Sequence, residues 1–229
     1  MKDPLILMNN HYAGISTPDE LLQAYTAMFM FLGGSVSLSP EESGLPNLCD
    51  SGMLRNLPVE SKNLKYLEAS RLLRSPCPFK QQCRLTVGDN YETLLSAGKN
   101  SPAYPAASHW FNPGTDTGEH HRILSEVYGR YGYCMTAECD LEADHLGIQL
   151  LFVNLLIEKY LTEDDYEIKE MIRKDLVAFI KEEMLTWLPR WAEKVSERSV
   201  TKCYTGISGL IVGGLEDVKD ILRNQKLGL

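Results

Sequence analysis

Residues 141–161 read LEADHLGIQLLFVNLLIEKYL, the most apolar stretch of this 229-residue chain. Apolar side chains occupy nearly every side of a helix drawn through it, which is typical of a helix in the centre of a globular protein. The longest apolar run within it, Ile148–Ile157, is interrupted by Gln149 and Asn154. This run also falls short of the ~20 residues that a membrane span needs. The stretch therefore predicts a long buried central helix.

Helical periodicity also governs the chain outside this segment. Thr17-Pro18-Asp19-Glu20 is a capping box with proline at the first helical position, which predicts a helix start. Apolar residues then recur every three to four positions until Gly33-Gly34, where we expect this helix to end. Further helices are predicted near residues 39–42, 60–74, 90–95, 119–131, 162–180, 188–195 and 215–224.

The glycine-rich residues 200–212 have some strand character. A single strand would have no partner to pair with, so we interpret this stretch as a helix weakened by glycine. The whole pattern predicts an all-α fold, in which about ten helices form a single globular domain over residues 1–229.

The charge balance is acidic, with 31 Asp and Glu against 23 Lys and Arg, for a net charge of −8. No basic stripe is present to neutralise phosphates, so we expect no nucleic-acid partner. The apolar stretch Leu5–Met8 is shorter than the roughly 7–15 residues of a secretory signal core. We therefore expect a cytoplasmic protein without stable membrane insertion.

Cysteine and histidine are the residues that would bind a metal or catalyse a reaction. The six cysteines lack the paired CxxC spacing of zinc sites, and in a cytosolic chain they are expected to be reduced thiols. No GxSxG motif or other local signature marks a nucleophile. We expect no metal, no cofactor and no catalytic residue.

Two alternatives to a binding protein stay open. His120-His121 together with Asp144-His145 would supply ligands to a helical metal-dependent hydrolase. Adjacent helical residues point about 100° apart, so each pair offers one good ligand rather than two. The other alternative is a non-catalytic helical regulatory domain.

Two local features point to binding. Prolines and glycines make residues 97–116 the longest irregular stretch, and irregular stretches that carry aromatics often form binding sites. Asp144-His145-Leu146-Gly147 is predicted to open the central helix, with two ionisable groups in its first turn. Glycine within a helix costs ~1 kcal/mol relative to alanine. Gly147 therefore indicates close approach by another backbone, either a packed helix or a bound peptide.

Three sequence blocks, in order, resemble the TorD/DmsD family of redox-enzyme maturation chaperones. The first is Tyr91-Glu92-Thr93-Leu94-Leu95, with Gly98 and then Pro102-Ala103-Tyr104-Pro105-Ala106-Ala107-Ser108. The second is Asp144-His145-Leu146-Gly147-Ile148-Gln149-Leu150, similar to the family's Asp-His-x-x-x-Glu-Leu with Gln149 in place of the acidic residue. The third is Trp187-Leu188-Pro189-Arg190-Trp191-Ala192, followed by Tyr204.

The resemblance implies an all-α chaperone, not an enzyme, that binds the twin-arginine leader of a molybdopterin oxidoreductase or a related N-terminal segment. Its partners would be that leader and the apo form of the catalytic subunit, and it would be a monomer or a homodimer. The implied peptide-binding residues are Tyr91, Leu95, Tyr104, Pro105, Ser108, Asp144, His145 and Gly147. Asp144 would pair with a leader arginine and His145 with its backbone, while Tyr91, Leu95, Tyr104 and Pro105 would form an apolar wall. Core packing is an equal alternative for the tyrosines and Leu95.

Overall fold

The computed structural model describes residues 17–45, 57–75, 83–96, 98–136 and 139–225. Within these ranges the regular secondary structure is helical, which confirms the all-α prediction. The helices are α1 (Pro18–Ser37), α2 (Pro40–Ser43), α3 (Leu64–Arg74), α4 (Cys83–Tyr91), α5 (Thr117–Arg130), α6 (Leu146–Thr162), α7 (Tyr166–Ala178), α8 (Leu188–Arg198) and α9 (Lys202–Asn224). One π-helical segment, Glu92–Ser96, extends α4, and another, Phe179–Met184, extends α7. Short 3-10 helices lie at Gly98–Asn100 and Ala107–Trp110.

The central helix is α6, and most of its side chains are buried. It packs against α1 on one side and α7 on the other, so the prediction of a long buried helix is confirmed. Its start is not at Leu141, as predicted, but at Leu146, with His145 as the N-cap residue. None of the helices in the described ranges is long and apolar enough to cross a membrane.

Helix α1 begins as predicted and ends later than predicted. The Thr17 hydroxyl accepts a hydrogen bond from the Glu20 amide at 3.2 Å, and the Glu20 carboxylate accepts one from the Thr17 amide at 2.8 Å. The pair Gly33-Gly34 does not end the helix, which runs to Ser37. At Gly33 a β-carbon would lie 3.7 Å from Leu150. Packing against α6 therefore outweighs the low helix propensity of glycine.

Other helix ends differ from the predictions because of their caps and packing. Asn63 caps α3 through the amides of Lys65 and Tyr66, so this helix starts at 64 and not at 60. Asp165, not Thr162, caps α7. Helix α9 begins at Lys202 rather than 215, which confirms the interpretation of residues 200–212 as helical.

Helices α3 and α9 make the most extensive helix–helix contact in the described structure, through a glycine face on α9. The β-carbon positions of Gly206, Gly209 and Gly213 lie 2.5 Å from Leu73, 2.8 Å from Ala69 and 2.7 Å from the Tyr66 amide nitrogen. Larger residues would not fit there without moving α3. This face therefore sets the separation of the two helices.

Gly213→Ala is expected to lower the free energy of unfolding by about 1–3 kcal/mol, because the new methyl group overlaps the backbone of α3. The matched control is Gly34→Ala within α1, where a β-carbon meets open space. That control is expected to raise stability by up to about 1 kcal/mol through helix propensity. Urea unfolding measures both, and the same sign for both variants would contradict the prediction.

Candidate functional site

The three sequence blocks that carry the family resemblance meet at the segment Ala103–Trp110. The Ala103 amide donates to the Leu94 carbonyl at 3.2 Å. The Trp191 indole Nε1 donates to the Ala103 carbonyl at 3.0 Å. The first and third blocks are thus joined at the beginning of this segment.

The second block holds the middle of the segment through backbone hydrogen bonds. The Leu146 amide donates to the Pro105 carbonyl at 2.7 Å, and the Ala107 amide donates to the Asp144 carbonyl at 3.1 Å. Ala106 and His145 form an isolated antiparallel β-bridge between the two blocks. The segment is therefore fastened to the residues that lead into α6, which explains why α6 starts only at Leu146.

Asp144 is fully buried. Its carboxylate adds a further contact to the backbone hydrogen bonds that hold the segment. Oδ2 accepts a hydrogen bond from the Ser108 amide at 2.6 Å. Oδ1 lies 2.9 Å from Nε2 of His121, an ion-pair distance, although the ring N–H does not point at the oxygen. Asp144 lies before the helix, and not in its first turn as predicted, so its carboxylate serves the loop.

His145 is the N-cap of α6. Its Nδ1 accepts a hydrogen bond from the Gly147 amide at 3.1 Å, so a neutral ring carries its proton on Nε2. Burial lowers the pKa of His145 to about 4, and the Asp144 charge opposes that shift. The ring lies edge-on to Tyr104, with centroids 6.0 Å apart.

Three half-buried rings form the solvent side of the segment, and we call Tyr104, His109 and Trp110 the aromatic surface. The His109 ring centroid lies 6.1 Å from that of Tyr104 and 5.5 Å from that of Trp110. The Trp110 indole donates to the Tyr104 carbonyl at 3.0 Å, and Arg190 of α8 donates to the Trp110 carbonyl at 3.2 Å. These contacts make the surface a fixed platform.

The charge near Tyr104 is negative, whereas Arg190 brings a positive charge to Trp110 at the other end of the aromatic surface. Burial, and then the charges of Glu142 and Asp144, raise the pKa of the Tyr104 hydroxyl. Two carboxylates therefore act on the ring of Tyr104. Such a platform suits a cation that has a flat face, because aromatic rings attract cations over their faces.

The residues predicted to bind peptide fall into three groups. Tyr104, Pro105, Ser108, Asp144 and His145 come together as described above. Tyr91 and Leu95 lie in the hydrophobic core. At Gly147 a β-carbon would lie 1.8 Å from the Ser37 hydroxyl of α1, which favours the packed-helix alternative for this glycine. Peptide contact by any of these residues stays a prediction.

Sequence reasoning missed four residues of this site. His109, Trp110 and Arg190 were not predicted to take part, and His121 was considered only as a metal ligand. The adjacency of His109-Trp110 to the proline-rich loop was the available signal. No signal in the sequence indicated the contact between His121 and Asp144, because the two residues are far apart in the chain.

The geometry does not support the metal-hydrolase alternative. His121 and Asp144 are adjacent, but Nδ1 of His145 is occupied by the Gly147 amide. His120 turns instead toward Glu183, with Nε2 3.9 Å from Oε2. Over the described residues, no group of three or more His, Cys, Asp and Glu side chains is placed to hold a metal ion. Cys49 and Cys77 lie outside the described residues.

Comparison with known proteins identifies relatives. The family profile described as "Nitrate reductase delta subunit" matches residues 65–193. The chain is 31% identical to the chaperone protein TorD of Aliivibrio fischeri over 145 residues, covering 61% of this chain and 66% of that protein. It is 30% identical to TorD of Aliivibrio salmonicida over 134 residues, covering 57% of this chain and 61% of that protein. The chain thus spans less than two thirds of the length of these two relatives.

Proposed function

The chain belongs to the TorD/DmsD family, which the nitrate reductase delta subunit profile describes, and from this membership we propose that it is a cytoplasmic chaperone and not an enzyme. It binds the N-terminal leader, and the apo form, of the catalytic subunit of a molybdopterin oxidoreductase. While bound, it assists cofactor insertion, folding and export of that client. The observation that carries the proposal is the aromatic surface, held in place by the buried carboxylate of Asp144.

The chemistry of a twin-arginine leader matches this surface. A guanidinium group is flat and stacks on aromatic rings, and it is more weakly hydrated than an ammonium group. Tyr104 and Trp110 offer ring faces, and the negative field at Tyr104 favours a cation there.

In this proposal Asp144 acts from below the surface. Its carboxylate is buried and already engaged by Ser108 and His121. Its negative charge therefore favours a cation at the aromatic surface, and its hydrogen bond holds the segment in place. The exposed parts of Tyr104, His109 and Trp110 make the direct contacts. His145 supports Tyr104 from the buried side.

A synthetic twin-arginine leader of a molybdopterin oxidoreductase from the same host is expected to bind, with an affinity that falls as salt rises. Added salt screens the arginine charges over ~8–10 Å at physiological ionic strength. Calorimetric titration at low and high salt tests this, and the control peptide has both arginines replaced by glutamine. Tyr104→Ala is expected to weaken binding about tenfold. Tyr166→Ala, an exposed tyrosine on α7, is its matched control.

Absence of binding at low salt would contradict the proposed function. A dissociation constant that does not change with salt, or equal binding of the glutamine peptide, would mean that apolar contacts alone recognise the leader. Equal affinities for the Tyr104→Ala and Tyr166→Ala proteins would place the binding surface elsewhere.

A further inference from the structure

We infer that His121 is a positioning residue of the proposed leader site, because from α5 it holds the second oxygen of the Asp144 carboxylate and so fixes the segment that carries the aromatic surface. Its effect on binding rests on the proposed function. Its effect on the segment rests on the contacts of Asp144 alone.

The Asp144 carboxylate needs a partner on each oxygen. It has no solvent exposure, and a buried charge is unfavourable unless it is paired and hydrogen-bonded. The Ser108 amide satisfies Oδ2. Oδ1 accepts no hydrogen bond, and its ion-pair partner is His121, whose Nε2 lies 2.9 Å away.

The position of His121 on α5 places it for this contact. Leu124 and Tyr128, three and seven residues later, lie on the same helix face and are buried. The Tyr128 hydroxyl donates to the Ala143 carbonyl at 2.7 Å. The same face of α5 therefore contacts two successive residues, Ala143 through its backbone and Asp144 through its side chain.

The contact between His121 and Asp144 is closed to solvent. The His121 side chain is 27% exposed as a whole and that of Asp144 is not exposed at all. The two facing atoms, Nε2 of His121 and Oδ1 of Asp144, are both buried.

The neighbouring His120 is a matched comparison. It has the same side chain on the same helix, is 17% exposed and lies near a carboxylate, that of Glu183, at 3.9 Å. Its ring packs against Phe111, with centroids 4.8 Å apart, and its ion-pair partner is Glu183 and not Asp144. The inference predicts that the two histidines differ in their effect on Ser108, although their chemistry is equal.

The test compares His121→Ala with His120→Ala in the intact protein. In the absence of peptide, His121→Ala is expected to speed hydrogen exchange of the Ser108 amide about tenfold, since the bond from this amide to a charged acceptor is weakened. Leader affinity is expected to fall by about the same factor. His120→Ala is expected to leave both quantities within about twofold of wild type.

Two further variants separate positioning from general stability. His121→Gln offers a side-chain amide that can donate to Oδ1 of Asp144, and it is expected to recover most of the Ser108 protection. In an Asp144→Asn background the buried charge is gone, so His121→Ala is expected to add little. A merely structural role for His121 would instead give additive effects with Asp144→Asn and no rescue by glutamine.

The inference is overturned if His121→Ala and His120→Ala change Ser108 exchange equally, or if the effect of His121→Ala persists in the Asp144→Asn protein. Should His121→Ala not fold, His121→Gln is combined with Asp144→Asn, and exact additivity overturns it. If the wild-type protein binds no leader, the proposed function fails, while Ser108 exchange still decides the role of His121.

Discussion

Asp144→Ala is expected to reduce leader affinity by at least about tenfold and to lower the free energy of unfolding by about 1–3 kcal/mol. The substitution leaves the Ser108 amide and His121 without the carboxylate that both contact. Loss of the hydrogen bond frees the end of the segment that carries the aromatic surface. The same substitution removes the negative field at Tyr104. Thermal melts and peptide calorimetry on one preparation measure both effects.

Two variants serve as controls for this prediction. Asp144→Asn keeps an oxygen that accepts from Ser108 but removes the charge, so it is expected to lose less stability than alanine. Asp140→Ala removes a carboxylate that is exposed in the same part of the chain and is expected to change little. Lower stability with unchanged leader affinity in Asp144→Ala would make Asp144 part of the scaffold only.

Acidification is expected to destabilise the protein through His145. Its pKa is about 4 in the folded protein, against an ordinary value of 6.5. The folded state therefore resists a proton that the unfolded chain accepts, and stability that is fully present above pH 6.5 is lost as the pH falls toward 4. The shift corresponds to about 3 kcal/mol for this one residue. Urea unfolding at a series of pH values between 7.5 and 4 measures how steeply the free energy of unfolding depends on pH.

His145→Asn is the control for the pH prediction. Asparagine is a good N-cap residue, so the hydrogen bond from Gly147 has a side-chain acceptor, but the titrating group is gone. The variant is expected to lose less stability over this pH range than wild type. Some slope remains, since burial also lowers the pKa of His109. Equal slopes in the variant and wild type would show that His145 does not titrate as its burial requires.

The sequence predicted the helices best where local signals were strong. The capping box at Thr17 and the apolar run of α6 involve residues close in sequence, and both were confirmed. The start of α6 was predicted too early because Leu141-Glu142-Ala143 are good helix formers. A turn forms there instead, closed by the hydrogen bond from the His145 amide to the Glu142 carbonyl at 2.9 Å. Hydrogen bonds with Pro105 and Ala107, distant in sequence, fix the residues from Asp144 to Leu146.

The sequence predicted which residues belong to the site better than it predicted their arrangement. The resemblance joined Tyr104, Ser108 and Asp144, and the structure brings them together. No local pattern shows that the Asp144 carboxylate turns inward, because that direction depends on His121 of another helix. Tyr91 and Leu95 fit a core position and a binding wall equally well by type, and only the packing of the whole chain places them in the core.

The glycine face of α9 has a consequence for the order in which the chain folds during synthesis. Leu73 and Gly206, which touch across it, are separated by more than 130 residues, so α3 leaves the ribosome long before its partner. Until α9 emerges, Ala69 and Leu73 of α3 lack the helix that packs against them. Contacts of such long sequence separation slow folding and expose apolar surface in the meantime. The protein therefore completes the core around α3 only after α9 has been translated.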